Sequence, residues 1–233
     1  MDGRYVAKPV LLLRVIYCLR VQFPATSQSL QVPTGSTGSR FRRTARKKLI
    51  DLLQEAPDTV ILAEDEASLY LQATTQQVWA PRGLTPVVRA DPSRRKTNFF
   101  GTLNLHTGDV ITTRESVMDA EASARHLQAI LDAFPNRRIL LLWDRAPWHR
   151  GPALRELMAA HPRLEIMLLP VAAPDLNPQE HVWKAVRRAV SHNHTFSRLD
   201  NLAERFETHL TSTTFESTFL NRYGYNSLRP VFN

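Results

Sequence analysis

The chain has 233 residues, 43% of them hydrophobic and 22% charged, enough for one full core and too apolar for a wholly disordered chain. Its single cysteine, Cys18, excludes a disulfide framework and cysteine-rich metal sites. The formal charge of +8 sits in the first fifty residues, with ten Lys/Arg against one acid; residues 51–233 hold twenty against twenty-one.

A basic arm of that kind points to nucleic acid. Residues 1–41 read as that arm and a linker, with Ala25 to Ser39 rich in Ser, Thr, Gly and Pro. The apolar stretch Val10 to Val21 is broken by Arg14 and Arg20. It is too short to span a bilayer and lacks a signal-peptide cleavage pattern, so a cytoplasmic protein with no membrane partner is expected.

Phe41 to Glu55 has a helical pattern, with Phe41, Ala45, Ile50, Leu52 and Leu53 among five basic residues, and Pro57-Asp58 stops it. Val60 to Asp65 is expected as the first strand. Alternation puts Ile61, Ala63 and Asp65 on one face and Leu62, Glu64 and Glu66 on the other. Leu69-Tyr70-Leu71, Gln77-Val78-Trp79 and Val87-Val88-Arg89 read as short extended pieces. The basic cluster Arg94, Arg95 and Lys96 precedes a strand from Thr97 to Leu105, and Gly108-Asp109 turns it into a hairpin with Val110 to Thr113.

Asp119 to Phe134 is amphipathic, with Asp119 as its cap. The apolar run Ile139 to Trp143 is a buried strand ending on Asp144. A helix from Gly151 to Ala160 and a strand from Glu165 to Leu169 come next. Asn177 and Pro178 are suited to cap and open a helix running to Val190. A last helix starts near Ser197-Arg198-Leu199-Asp200 and runs to about Leu210, before a tail over 213–233. The order gives a mixed α/β domain over 42–212.

Three carboxylates stand out at the edges of these elements. A charge directly after five apolar residues, as at Asp144, must be paired, capping or metal-bound. The carboxyl ends of strands are where α/β sheets bind ligands. Asp65 comes after another apolar run, and Glu180 opens a helix. Such acids, brought together, need a positive partner, and a hard divalent cation held by oxygen ligands supplies it. Two cations would clamp the attacking and leaving oxygens of a phosphodiester. Lys184 and Arg187 share a helix face with Glu180, and Arg188 is next in the chain.

The sequence resembles the catalytic domain of DDE transposases, of the mariner-like superfamily and its bacterial insertion-sequence relatives. The resemblance is carried by Asp65-Glu66, Trp79-Ala80-Pro81-Arg82-Gly83, Asn98-Phe99-Phe100-Gly101 and Trp143-Asp144 with Trp148-His149. Its most specific part is Pro174-Asp175-Leu176-Asn177-Pro178 running to Glu180 and Trp183, with thirty-five residues between Asp144 and Glu180. It implies a ribonuclease-H-like fold: a three-strand antiparallel meander plus parallel strands, flanked by helices. It implies Asp65, Asp144 and Glu180 as catalytic metal ligands, holding two ions of Mg²⁺ or Mn²⁺. The implied partners are double-stranded DNA and a second copy of the chain in the DNA complex. Arg94, Arg95, Lys96, Arg145, His149, Lys184, Arg187 and Arg188 are expected to touch DNA, with a satisfied structural histidine as the alternative at His149.

Two departures bear on activity. Arg145 stands where the family usually has Asn, and a guanidinium there could pair with Asp144. Val171-Ala172-Ala173 replaces an aromatic often found in the family. No helix-turn-helix pattern precedes the domain, so a truncated or frame-disrupted copy is expected. The alternatives to an active transposase are an inactive remnant that binds DNA without choosing sequence, and a ribonuclease-H-like nuclease acting on RNA–DNA hybrids.

Overall fold

The computed structural model describes residues 37–74, 94–171 and 173–224. The pieces expected at Gln77-Val78-Trp79 and Val87-Val88-Arg89, and the Trp79 to Gly83 motif, lie outside the described residues, as does most of the arm.

Helix α1 (Thr37–Glu55) begins four residues before the sequence pattern suggests, inside the expected linker. Its stripe of Ala45, Leu49 and Leu52 is buried, and packing of such a stripe outweighs the weak helix propensity of Thr37, Gly38 and Ser39. The first strand, β1 (Val60–Tyr70), does not stop at Asp65. It crosses all three acids and absorbs the piece expected at Leu69. The reason is its partner β2 (Lys96–Asn104), which pairs with it in an unbroken antiparallel ladder from Leu62↔Asn104 to Tyr70↔Lys96. Asp65 therefore sits in mid-strand, opposite Gly101.

The chain returns through Gly108, at φ 80°, into β3 (Val110–Glu115), antiparallel to β2. Helix α2 (Ala120–Ala133) starts at Asp119, whose carboxylate accepts the Ala122 N–H at 2.8 Å. Strand β4 (Ile139–Trp143) lies parallel to β1, and after α3 (Pro152–Ala160) the strand β5 (Leu164–Leu168) lies parallel to β4. The five-stranded order is β3-β2-β1-β4-β5. This is the expected mixed sheet: an antiparallel meander continued by parallel strands.

Side chains alternate between two cores. Leu62, Leu141 and Trp143 pack with Leu127, Ile130, Leu131 and Leu154 of α2 and α3. Ile61, Ala63, Leu140 and Leu142 face the other side. There they meet α1, α4 (Gln179–Val186) and α5 (Leu199–Ser212). Phe215, and Phe219 and Leu220 of the short α6 (Phe219–Arg222), join this second core, so the segment read as a tail is packed at its start. The helix expected to reach Val190 is α-helical only to Val186. It then widens into a π-turn, Arg187–Ser191, because the His192 N–H closes on the Arg187 carbonyl at 2.7 Å.

Candidate active site

The sheet register positions the first two acids. β1 and β4 run parallel, with Ala63 level with Leu142. Two residues further along each strand, the same register sets Asp65 level with Asp144, with both side chains on the α4 face. The chain leaves β5 with the Leu169 N–H on the Trp143 carbonyl at 2.7 Å, then turns through a 3₁₀ segment, Pro174–Leu176.

Asn177 fixes the start of α4. Its side chain is buried, donates from Nδ2 to the Glu64 carbonyl at 2.8 Å and accepts the Gln179 N–H on Oδ1 at 3.1 Å. One amide thus caps α4 and pins its first turn to β1, which brings Glu180 to the acids. Asp65, Asp144 and Glu180 line one cavity of about 240 Å³, with Arg145, Leu169, Pro170 and Asn177 among the walls.

The electrostatics result from that crowding. Burial, then the charges of Glu180, Glu66 and Asp144, push Asp65 up to about 8. Asp144 goes the other way. A hydrogen bond from His149 is the main cause, and the Ala146 N–H at 2.8 Å adds to it. Both bonds fall on Oδ1, with His149 Nδ1 at 3.0 Å.

A second layer lies behind the cavity. Trp143 donates its indole N–H to Glu64, Trp183 donates to Asp65 at 3.1 Å, and Trp148 donates to Glu66 at 2.7 Å. Three consecutive acids in one strand are thus each met by an indole. His149 Nε2 also reaches Glu66 at 2.7 Å. Burial alone would lower the His149 pKa. Its bonds to Asp144 and Glu66, and their charges, outweigh that and hold it up at about 9. Glu64 is raised well above the carboxylate range, first by burial and then by Glu66 and Asp65. The ring of His149 stacks on Trp143 with centroids 4.1 Å apart.

The residues expected to touch DNA divide. The His149 side chain is 4% exposed, with Nδ1 on Asp144 and Nε2 on Glu66, the surroundings of a structural histidine. Arg145 lines the cavity, but its Nε donates to the Leu169 carbonyl at 3.2 Å, and among the described residues it forms no ion pair with Asp144. The expected competition with metal is therefore not the arrangement adopted. Lys184 is exposed one turn after Glu180. Arg187 and Arg188 lie on the π-turn beside His192 and line neither described cavity. Arg94, Arg95 and Lys96 lead into β2, next to Tyr70, five residues beyond Asp65, or about 17 Å along the strand.

Sequence reasoning missed the role of Trp143 and Trp183 as donors to acids. The usable signal was alternation. Glu64 and Glu66 point away from Asp65, toward the face that receives the residues after Asp144, and those residues include Trp148 and His149.

Residues 60–203 match the family described as DDE superfamily endonuclease. An uncharacterized protein of Sinorhizobium fredii, y4pE/y4sA, is 32% identical over 85 residues, covering 36% of this chain and 60% of that protein. The Mos1 transposase in its paired-end complex with the left transposon end is similar at a TM-score of 0.57 and 16% identity, covering 83% of this chain and 59% of that one. The catalytic domain of Mos1 mariner transposase is similar at a TM-score of 0.54 and 14% identity, covering 84% of this chain and 90% of that one. The chain thus spans about three-fifths of the S. fredii protein and of the Mos1 chain in the complex, and most of the isolated catalytic domain. Those structural identities speak to fold, while the family match covers more than half of the sequence. The chain belongs to the DDE superfamily of endonucleases and has the ribonuclease-H-like fold of the mariner transposase catalytic domain.

Proposed function

We propose that this chain is the catalytic part of a bacterial insertion-sequence transposase, cutting DNA at the ends of its element and joining the freed 3′-hydroxyl to target DNA. The observation that carries the reading is the meeting of Asp65, Asp144 and Glu180, from β1, the end of β4 and the start of α4, around one cavity. Structural acids are normally spread apart. Here one of them is held up at about 8 by burial and by the others.

The donor set suits a small divalent cation: three carboxylates, all hard oxygen ligands, with proton uptake at Asp65 relieving the repulsion when no cation is present. Mos1 complexes have been solved with Mg and with Mn. In this chain Asp65, Asp144 and Glu180 would hold Mg²⁺ or Mn²⁺, as two ions. When bound, these supply charge for the attacking and leaving oxygens of phosphodiester cleavage. The protein's own share is positioning. The β1–β4 register sets two acids level, Asn177 fixes the third, Trp183 orients Asp65, and His149 holds Asp144 through Oδ1. Double-stranded DNA is the substrate in this reading, handled by a homodimer in the cytoplasm.

The test is cleavage of a plasmid carrying the DNA that flanks the reading frame, with Mg²⁺ or Mn²⁺. The wild-type chain nicks at the element ends, and Asp65→Ala, Asp144→Ala and Glu180→Ala each reduce nicking to background while remaining folded. Normal cleavage by Asp144→Ala refutes the assignment. A wild-type chain that binds DNA and no divalent cation is instead the inactive remnant.

A further inference from the structure

A larger cavity, about 820 Å³, adjoins the acidic one: Pro174, Asn177 and Glu180 line both. Its walls come from three separate elements. α1 contributes Arg42, Arg43 and Arg46, α4 contributes Lys184, and α6 contributes Arg222. All five are exposed, and among the described residues none forms an ion pair. Three acids share the lining: Glu180, and the exposed Asp175 and Glu216. The excess is positive.

The cations converge. His181 is lowered first by burial and then by Arg222 and Lys184. Tyr223 is raised by burial against the pull of Arg42 and Arg222. Residues 42, 184 and 222 therefore act on two neighbouring groups in the same groove. The three arginines of α1 are presented there by the opposite stripe, Ala45, Leu49 and Leu52, which is anchored in the core. Arg42 and Arg46 are one helical turn apart, about 6 Å along the axis. That is comparable with two nucleotide steps of one strand, at about 3.4 Å each. Guanidinium groups fit phosphate oxygens as forks.

We propose that this groove binds the sugar-phosphate backbone of the DNA strand that continues away from the reacting phosphate, with Arg42, Arg43, Arg46, Lys184 and Arg222 as its contacts. The choice of DNA as occupant rests on the catalytic reading of the three acids; the groove itself does not. Continuity decides between DNA and an acidic peptide. A backbone whose scissile phosphate sits at the three acids leaves the cavity past Glu180, and the lining on that side is cationic. The acids mark where the strand reacts and the arginines where it is held.

The experiment is fluorescence anisotropy of the full chain without divalent metal. The probes are labelled blunt duplex, duplex with a single-stranded overhang, and single strand, over a series of salt concentrations. The variants are Arg42→Ala/Arg43→Ala/Arg46→Ala, the same triple changed to Lys, and Lys184→Ala/Arg222→Ala, with circular dichroism to confirm folding. The alanine triple is expected to bind about tenfold or more weakly, and the slope of log affinity against log salt to fall by about two to three. The lysine triple recovers most of that slope, and Lys184→Ala/Arg222→Ala weakens binding in the same sense. The probe most affected identifies the occupying form as duplex or single strand. An alanine triple with wild-type affinity and slope on all three probes overturns the groove and leaves the catalytic reading standing. A wild-type chain that fails to cleave while its binding still depends on the arginines overturns the catalytic reading and leaves the groove.

Discussion

Trp183 donates its indole N–H to Asp65 at 3.1 Å, and the far edge of the same ring occupies the space a side chain at position 101 would need. A Cβ on Gly101 would lie 2.5 Å from Trp183 Cη2 and 2.6 Å from Gln179 Nε2. Gly101 is also the β2 partner of Asp65. One missing side chain thus admits the ring that orients the acid and lets α4 lie close to the sheet. Gly101→Ala is expected to destabilise by about 1–3 kcal/mol through overpacking. It also displaces Trp183 and the start of α4, so cleavage falls further than stability. Denaturant unfolding beside a nicking assay checks this; a variant with wild-type stability and activity contradicts it.

Gln179 is a local defect in the same region. It is fully buried, and neither polar atom of its amide has a hydrogen-bond partner among the described residues. A buried amide without partners costs on the order of 1–3 kcal/mol. Gln179→Leu keeps the approximate volume and removes the polar atoms. The variant is expected to unfold at higher denaturant with an unchanged slope, and to retain cleavage, because the Asn177 carbonyl still accepts the Glu180 N–H. A lower midpoint would mean that the amide is satisfied in solution.

The pKa of Asp65 gives two pH dependences. Its folded value, about 8, lies above the ordinary 3.8. Between these values the folded protein holds a proton that the unfolded chain has released. The stability attached to that proton is complete below about 3.8 and lost as pH rises through about 8. Without metal, Asp65→Asn should therefore melt at a higher temperature than wild type at pH 8, by more than at pH 5, while being inactive. Divalent cations compete with the same proton, so Mn²⁺ affinity should rise with pH to about 8 and then level off, with proton release on binding. Calorimetry in buffers of different ionisation enthalpy reads that release; an affinity flat from pH 6 to pH 8 contradicts it.

The strand–helix order was legible because apolar runs and caps act locally. Asp119 and Asn177 cap where the pattern put them, and Ile139–Trp143 is a strand to the residue. The extension of β1 past Asp65, through Glu66 to Tyr70, was not. Consecutive acids suggest that a strand is ending, and only long-range partners make them tolerable inside a sheet. Those partners, Trp143, Trp148 and Trp183, lie 79 to 118 positions away. The three acids of the cavity could be named from the sequence, but the fate of Arg145 could not, since it turns on a carbonyl of the loop after β5. The second partner of His149, Glu66, is 83 positions away and was not legible either.

His149 joins Glu66 to Asp144, and its removal tests how much of the site depends on that bridge. Its value of about 9 lies above the usual 6.5. The stability it contributes is therefore fully present below about 6.5 and lost as pH rises through about 9. Breaking a buried ion pair from one side typically costs about 3–5 kcal/mol, because the remaining charge has no partner. His149→Gln should thus be less stable at pH 6, and the gap from wild type should close toward pH 10. Glu66→Gln alone should be milder, since Trp148 still donates to the Gln oxygen. If the bridge acts as a unit, the double variant departs from additivity by more than about 0.5 kcal/mol. Asp144, freed from His149, should also hold Mn²⁺ less well in His149→Gln even at pH 10, where the stability gap has closed. Wild-type metal affinity in a folded His149→Gln protein would reduce the histidine to a packing residue.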